Sequence, residues 1–348
     1  MAADVTLKPI NCTIMEQIIE CVPNFSEGVY SSNIDKIAAE ISKVAGVKLL
    51  NVDAGRDANR TVITFAGRPE AVVEAAFNAI KKAAELIDMR TQKGEHPRMG
   101  ATDVCPLVPV SNITLEQVDV YARQLAARVG AELDIPVYLY EFSQPDKSRS
   151  NLSIIRSGEY EGFFEKIKHP GWHPDFGPAR MNAKCGATVI GARNFLIAYN
   201  VNLNSASVAL AAGIAADVRE SGRLVTSHKG KVRVPGLLKG VKAIGWYMEE
   251  YGCAQVSTNI TDIAISPIYT VFETIAEQAK AHGTVVTGSE LIGLIPLEAL
   301  QAAGQHFAGK RGNGVLSEHE LLNLAIKELC LNAVKPFDIN KRILDYLL

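Results

Sequence analysis

Apolar residues recur at two spacings along this chain, and the spacing switches every ten to twenty positions or so. Residues 18–22 are strand-like, and residues 31–44 have helical spacing after a Ser/Asn-rich start. Two strands, 47–52 and 61–65, are separated by the turn-rich "DAGRDANR", and an Ala-rich helix is predicted from Pro69 to about Ile87. Residues 104–110 read as a strand broken by Pro106 and Pro109. Residues 114–133 read as a helix in which Thr114 and Gln117 have capping-box spacing, and residues 137–140 as a strand.

The second half repeats the theme. Strand 195–203, Ala-rich helix 207–220, strands 241–248 and 254–260, helix 268–281 and short strand 284–286 follow in order. Each half therefore contains β-α-β-β-α-β, the order of a ferredoxin-like unit, with an extra helix and strand in the first. The expected fold class is α+β: two ferredoxin-like α/β subdomains with mixed sheets. The polar, Pro/Gly-rich region 142–186 is the expected linker, giving an N-terminal extension at 1–17, a first subdomain at 18–186 and a second at 187–348. In the C-terminal helical segment, Ser317 and Glu320 form a capping box ahead of "LLNLAIKEL".

Two strands of the second half carry an unusual face. In "FLIAYNVNLN", Asn200, Asn202 and Asn204 alternate with Tyr199, Val201 and Leu203, so a period of two puts the amides on one side. Gln255, Ser257 and Asn259 do the same in "QVSTNITD". A row of short amides suits a planar heterocycle with donor and acceptor edges, although Asn also collects at strand ends and turns.

Composition narrows the partners. The chain has 348 residues with a formal net charge of −2 and no Lys/Arg-rich run, which argues against nucleic acid. No stretch supplies about 18 uninterrupted apolar residues, and the N-terminus lacks a signal-like pattern, so a cytoplasmic protein without membrane contact is expected. The six cysteines are scattered without a CxxC pair. His169 and His173 are each followed by a proline, which disfavours a shared helical face for a metal, and no metal is expected.

The densest chemistry lies in "KGEHPRMGATD". Pro97 restricts His96 to extended backbone, and Gly94 and Gly100 permit turns, so the loop is long but conformationally limited. A histidine mounted in this way can carry a proton at physiological pH, with Glu95, Arg98 and Asp103 near enough in sequence to tune it. On pattern alone, an ordinary hydrogen bond across a surface loop is the commoner role for a lone histidine. "NVDAGRDANRTVITF" places Asp53, Asn59 and Arg60 around a turn between two strands, and "CVPNFSEG" offers backbone N–H groups without nucleotide-binding spacing.

Taken together, "IIECVPNFSEG", "DAGRDANRTVITFAG", "GEHPRMGATDVCPLVPV", "IRSGEYEG", "PDFGPAR", "GATVIGARNFLIAYNVNL" and "GWYMEEYGCAQVSTNITD" resemble, in order, blocks of the glutamate formimidoyltransferase family. The resemblance runs from Ile18 to the C-terminus. It implies transfer of the formimidoyl group of N-formimidoyl-L-glutamate to N5 of tetrahydrofolate, a co-substrate, in histidine degradation. It implies a tunnel between two subdomains, a homodimer, and a separate cyclodeaminase acting downstream. The motif histidine of the family falls on His96, the expected general acid/base. Asp53, Asn59, Arg60 and Arg98 are then the expected donor-binding residues. The family's folate-contacting stretch falls on residues 177–186, marking Gly177, Pro178, Lys184 and Gly186, with Cys185 where animal members have tryptophan. Asn200, Asn202, Gln255, Ser257 and Asn259 would meet the pterin edge. Another folate-dependent one-carbon transferase and a catalytically idle folate-binding module are the alternatives.

Overall fold

The structure, a computed structural model, describes residues 16–228, 230–312 and 314–348; the expected extension at 1–17 lies almost entirely outside the described residues. In the first half, β1 (Ile18–Cys21), β2 (Asn24–Phe25), α1 (Ser31–Ser42), β3 (Val47–Gly55), β4 (Arg60–Gly67), α2 (Pro69–Leu86) and β5 (Thr102–Ser111) follow one another. α3 (Leu115–Leu133), β6 (Val137–Leu139), α4 (Leu152–Ile155), α5 (Glu159–Lys166) and β7 (Thr188–Ala192) complete it. Antiparallel pairing of β3 with β4, β4 with β1 and β1 with β5 gives the ferredoxin-like order, with β2 continuing the line of β1. β7 and β6 extend the sheet by parallel pairing beyond β5.

The second half contains β8 (Ile197–Leu203), α6 (Val208–Val218), the hairpin β9 (Arg223–Ser227) and β10 (Gly230–Val234), β11 (Val241–Met248) and β12 (Cys253–Ile260). α7 (Ile268–Ala281), β13 (Val286–Ile292), α8 (Leu297–Arg311) and α9 (Glu318–Glu328) follow. Its sheet order β11-β12-β8-β13 is the ferredoxin-like arrangement without an extension. Both capping boxes form, at Thr114/Gln117 and at Ser317/Glu320.

Four expectations change. The expected strand at 284–286 lies instead at Val286–Ile292, because backbone pairing with β8 carries the polar "TGSEL" run into the sheet although it has no apolar alternation. β5 is continuous: Pro109 sits opposite a register shift in β1, and the Pro106 carbonyl still accepts from Val22 N, so the missing N–H donors are absorbed. Region 142–186 is not a free linker, since it forms α4 and α5 and packs on the first sheet through Val137–Phe176 and Gly100–Gly186 bridges. The chain crosses to the second sheet after Ala192, not at 186/187, because β7 is a strand of the first sheet.

Each sheet carries its main helix layer on one face. Ile19, Cys21, Ile63, Phe65, Cys105 and Leu107 point into the first core beneath α1, α2 and α3. Tyr199, Val201, Val256 and Ile260 do the same in the second, against α6 and α7. Period-two alternation sends Glu20, Val22, Asn24, Val62, Thr64, Val104 and Pro106 to the opposite face of the first sheet, and Ala198, Asn200, Ser257 and Asn259 to that of the second. α4 and α5 cover the β5-β7-β6 end of the first of these faces, where Ile155, Phe163 and Ile167 pack on Val104, Tyr138 and Val189, and beyond them the two faces look at each other.

Candidate active site

Between them lies a cavity of about 410 Å³ walled by both sheets, by the His96 loop and by the α4–α5 turn from Leu152 to Glu159. His96 is mounted on the turn between β3 and β4. Asn59, at φ 45°, accepts from Gly28 N at 2.9 Å and donates from Nδ2 to Lys93 O at 2.5 Å, while its carbonyl accepts from Gln92 Nε2 at 3.1 Å. Glu95 N donates to Asp57 O at 3.2 Å. The two charged stretches of the sequence are thus one mount. Gly94 and Gly100 are needed for close approach: a Cβ would lie 2.4 Å from Ala58 O at the first and 2.0 Å from Ala187 O at the second.

The half-buried His96 ring lies edge-on to Trp246 of β11, with centroids 6.1 Å apart. Its Nε2 meets Arg60 Nη1, and Nδ1 lies 2.7 Å from the Pro97 carbonyl. A guanidinium only donates, so Nε2 carries the lone pair and Nδ1 the proton it gives to Pro97 O. Burial, and next the positive charges of Arg60 and Arg156, hold the imidazole pKa well below 6.5. Burial also lowers Arg60 to about 10, which leaves it charged at neutral pH. Arg156 pairs with the buried Asp103, whose other oxygen accepts from Met99 N at 3.0 Å.

Arg98 is not available to a ligand. It is buried, donates to both oxygens of Glu161 at 2.8 and 2.9 Å, and also binds Glu159 Oε2 at 3.0 Å and Gln92 Oε1 at 2.9 Å. It ties the His96 loop to α5. Asp53 lies outside the cavity lining, where it accepts from Arg342 Nη1 at 2.7 Å and from Gly293 N at 3.0 Å, joining the two halves. Asn59 holds the mount, and only Arg60 of the expected donor-binding set lines the cavity with His96.

Nor do Gly177, Pro178, Lys184 and Gly186 line it. Gly177, at φ 81°, packs on Gly130 of α3 and the Ile135 carbonyl, Lys184 Nζ donates to Glu85 O at 2.7 Å, and Gly186, at φ 73°, abuts Met99 O. Cys185 is buried in the first core. This stretch buttresses the base of the His96 loop. The amide row divides in two. Asn200, Ser257 and Asn259 line the cavity, whereas Asn202 Oδ1 accepts from Gln255 Nε2 at 2.6 Å, and Gln255 Oε1 accepts from Trp246 Nε1 at 2.8 Å. Glu290 of β13 accepts from Gln255, Asn200 and Tyr251, closing a network that orients Trp246.

The cavity also recruits Arg156, Arg193, Lys242 and Trp246, which no local pattern singles out, and Glu20. An arginine after a short helix or at a strand end reads as a surface charge until the opposite sheet covers it. Glu20 alone left a trace, as a charge among the apolar residues of β1. Among the described residues, no three His, Cys, Asp or Glu side chains form a group that could hold a metal ion, and no helix is long and apolar enough to cross a membrane.

The family model of the formiminotransferase domain's N-terminal subdomain matches residues 18–193, and that of the formiminotransferase domain matches residues 198–348. The chain is 47% identical over 333 residues to formimidoyltransferase-cyclodeaminase of Mus musculus, an alignment covering 96% of this chain and 60% of that protein. It is 41% identical to glutamate formimidoyltransferase of Streptococcus pyogenes serotype M1 (84% of this chain, 94% of that one). Against glutamate formimidoyltransferase of Thermoplasma acidophilum it is 40% identical (85% and 93%). The chain thus spans 60% of the length of the two-activity relative and nearly all of the single-activity ones.

Proposed function

The chain belongs to the formiminotransferase family, and from that premise we propose that it moves the formimidoyl group of N-formimidoyl-L-glutamate to N5 of tetrahydrofolate, releasing L-glutamate. The observation that carries this reading is a neutral imidazole held in a cavity between two sheets, with cationic groups beside it and amides opposite. Attack by N5 on the amidine carbon forms a new C–N bond, and N5 gives up its proton as the tetrahedral adduct collapses. The C–N bond to glutamate breaks, and the departing amine gains a proton. His96 Nε2 accepts the first proton and returns the second.

Nε2 is capped by Arg60. The glutamate portion of the donor brings two carboxylates, for which Arg60 and Arg156 are the guanidinium partners. Once Arg60 pairs with a donor carboxylate it depresses the imidazole less, so donor binding both uncovers Nε2 and raises its basicity. Asn200, Ser257 and Asn259 face the heterocycle from the second sheet. A homodimer in the cytoplasm, a role in histidine degradation and a separate cyclodeaminase consuming the product belong to the same reading.

The test follows glutamate release from formiminoglutamate with tetrahydrofolate as acceptor. Turnover is expected for the intact chain, and His96→Ala should lose about 10²- to 10⁴-fold in kcat with folate binding retained. Folate binding without turnover by the intact chain would leave an idle binding module, and near-normal kcat in His96→Ala would exclude the proton shuttle.

A further inference from the structure

Four buried side-chain atoms on the first sheet's wall of the cavity have no hydrogen-bond partner: Glu20 Oε2, Asn24 Oδ1, Arg60 Nε and Thr64 Oγ1. Folded proteins leave few such atoms, and several facing one cavity mark where a ligand completes the bonding. Glu20 is the most demanding of them. It is 1% exposed, and a carboxylate withdrawn from water requires strong donors. It stands between Ile19 and Cys21, which point the other way into the core. Arg193 is its nearby positive charge, close enough to work against the effect of burial on the carboxyl.

The register places Glu20 away from the reacting end of the cavity. It pairs with Ala66 of β4, whereas Asn24 pairs with Val62 and Phe25 with Thr61, next to Arg60 and hence to His96. Glu20 therefore lies about 13 Å along the strand from Asn24, at strand rise per residue. A ligand whose reacting nitrogen meets His96 extends its far edge along this wall.

We propose that Glu20 reads the donor edge of the 2-amino-4-oxopyrimidine ring of the acceptor, its two oxygens accepting from the exocyclic amino group and the adjacent ring N–H. The assignment rests on the tetrahydrofolate reading above. Two parallel N–H donors match the two coplanar acceptors of a carboxylate and do not match an amide, which would set its own NH2 against one of them. The amides of the second sheet are therefore poor partners for this edge, and among the unpartnered atoms on the facing wall only Glu20 belongs to a carboxylate. Asn24 Oδ1 and Thr64 Oγ1, unpartnered on the same wall, remain for the other polar atoms of the bicycle.

Calorimetric titration of the full chain with tetrahydrofolate and with its 2-desamino analogue tests this, first on the unaltered protein and then on Glu20→Gln. The unaltered protein should bind the analogue about 10- to 100-fold more weakly, the range expected when a buried charged acceptor loses its donor. Glu20→Gln should bind tetrahydrofolate more weakly by a similar factor and no longer distinguish the two ligands. In turnover its KM for tetrahydrofolate should rise while that for formiminoglutamate stays. Equal binding of both ligands by the unaltered protein overturns the assignment without any variant having to fold, as does undiminished discrimination by Glu20→Gln. Failure of the unaltered protein to bind tetrahydrofolate would instead overturn the folate reading itself, and this assignment with it.

Discussion

At the scale of single residues, charge and burial move the pKa values of two groups in the site in opposite directions. His96 is driven toward its neutral form by burial, Arg60 and Arg156, so its base form persists well below pH 6.5 in the free protein. Because kcat/KM reports the free enzyme and kcat the bound complex, the acid limb of kcat should fall at a higher pH than that of kcat/KM. Arg60→Ala should bring the two limbs together and raise the KM for formiminoglutamate; coincident limbs in the unaltered protein would show that donor binding does not retune the imidazole. Burial drives Glu20 toward its neutral form as well, which for a carboxyl raises the pKa, to about 7 from 4.5. Its native state therefore holds a proton that the unfolded chain releases between pH 4.5 and 7, and stability falls as pH rises through that window. The shift corresponds to about 3 kcal/mol by pH 8 at the usual conversion per unit. Thermal unfolding of Glu20→Gln should lack this slope and exceed the unaltered protein at pH 8.

At the scale of elements, the His96 loop is held by its neighbours. Its glycine pattern was legible as rigidity, but the physical reason differs from the expected turn geometry: backbone from the 56–59 turn and from Ala187 comes too close for any side chain. Gly94→Ala should therefore displace the loop, lowering kcat while leaving the unfolding temperature nearly unchanged, because the displaced atoms sit at the edge of the first core. Gly100→Ala should be worse, since it pushes directly on Ala187 O next to β7, and a destabilisation of about 1–3 kcal/mol or more is expected by denaturant titration. The amide strands were read correctly as faces, because a period of two needs no tertiary information. Which amides stay free for a ligand was not readable, since the partners of Gln255 and Asn202 lie on neighbouring strands. β13 was misplaced for a similar reason: "TGSELI" has no strong alternation of its own and becomes a strand by pairing with β8.

Across the whole molecule, the cavity exists because two sheets, each with its main helix layer on one side, turn their other faces together, with α4 and α5 closing one end. Asp53 with Arg342 and Gly293 N, Asp57 with Glu250 N, and Glu141 with Lys242 at 2.8 Å are the polar ties across that junction, and Trp246 against His96 is the aromatic one. Asp53→Ala leaves Arg342 partly buried and without this partner. It should loosen the cavity and raise the KM values for both substrates more than it lowers kcat, the reverse of the pattern expected for His96→Ala. Equal loss in kcat and kcat/KM would return Asp53 to the chemistry.

The sequence by itself determined the two βαββαβ units, the capped helices, the strand faces and the prominence of His96, because period, capping and turn chemistry are local properties. Only the tertiary structure decided which charges serve the site. Asp53, Asn59 and Arg98 became struts, while Glu20, Arg156, Arg193 and Trp246 entered the cavity, because the desolvation and pairing that separate a strut from a ligand group arise when one sheet covers the other.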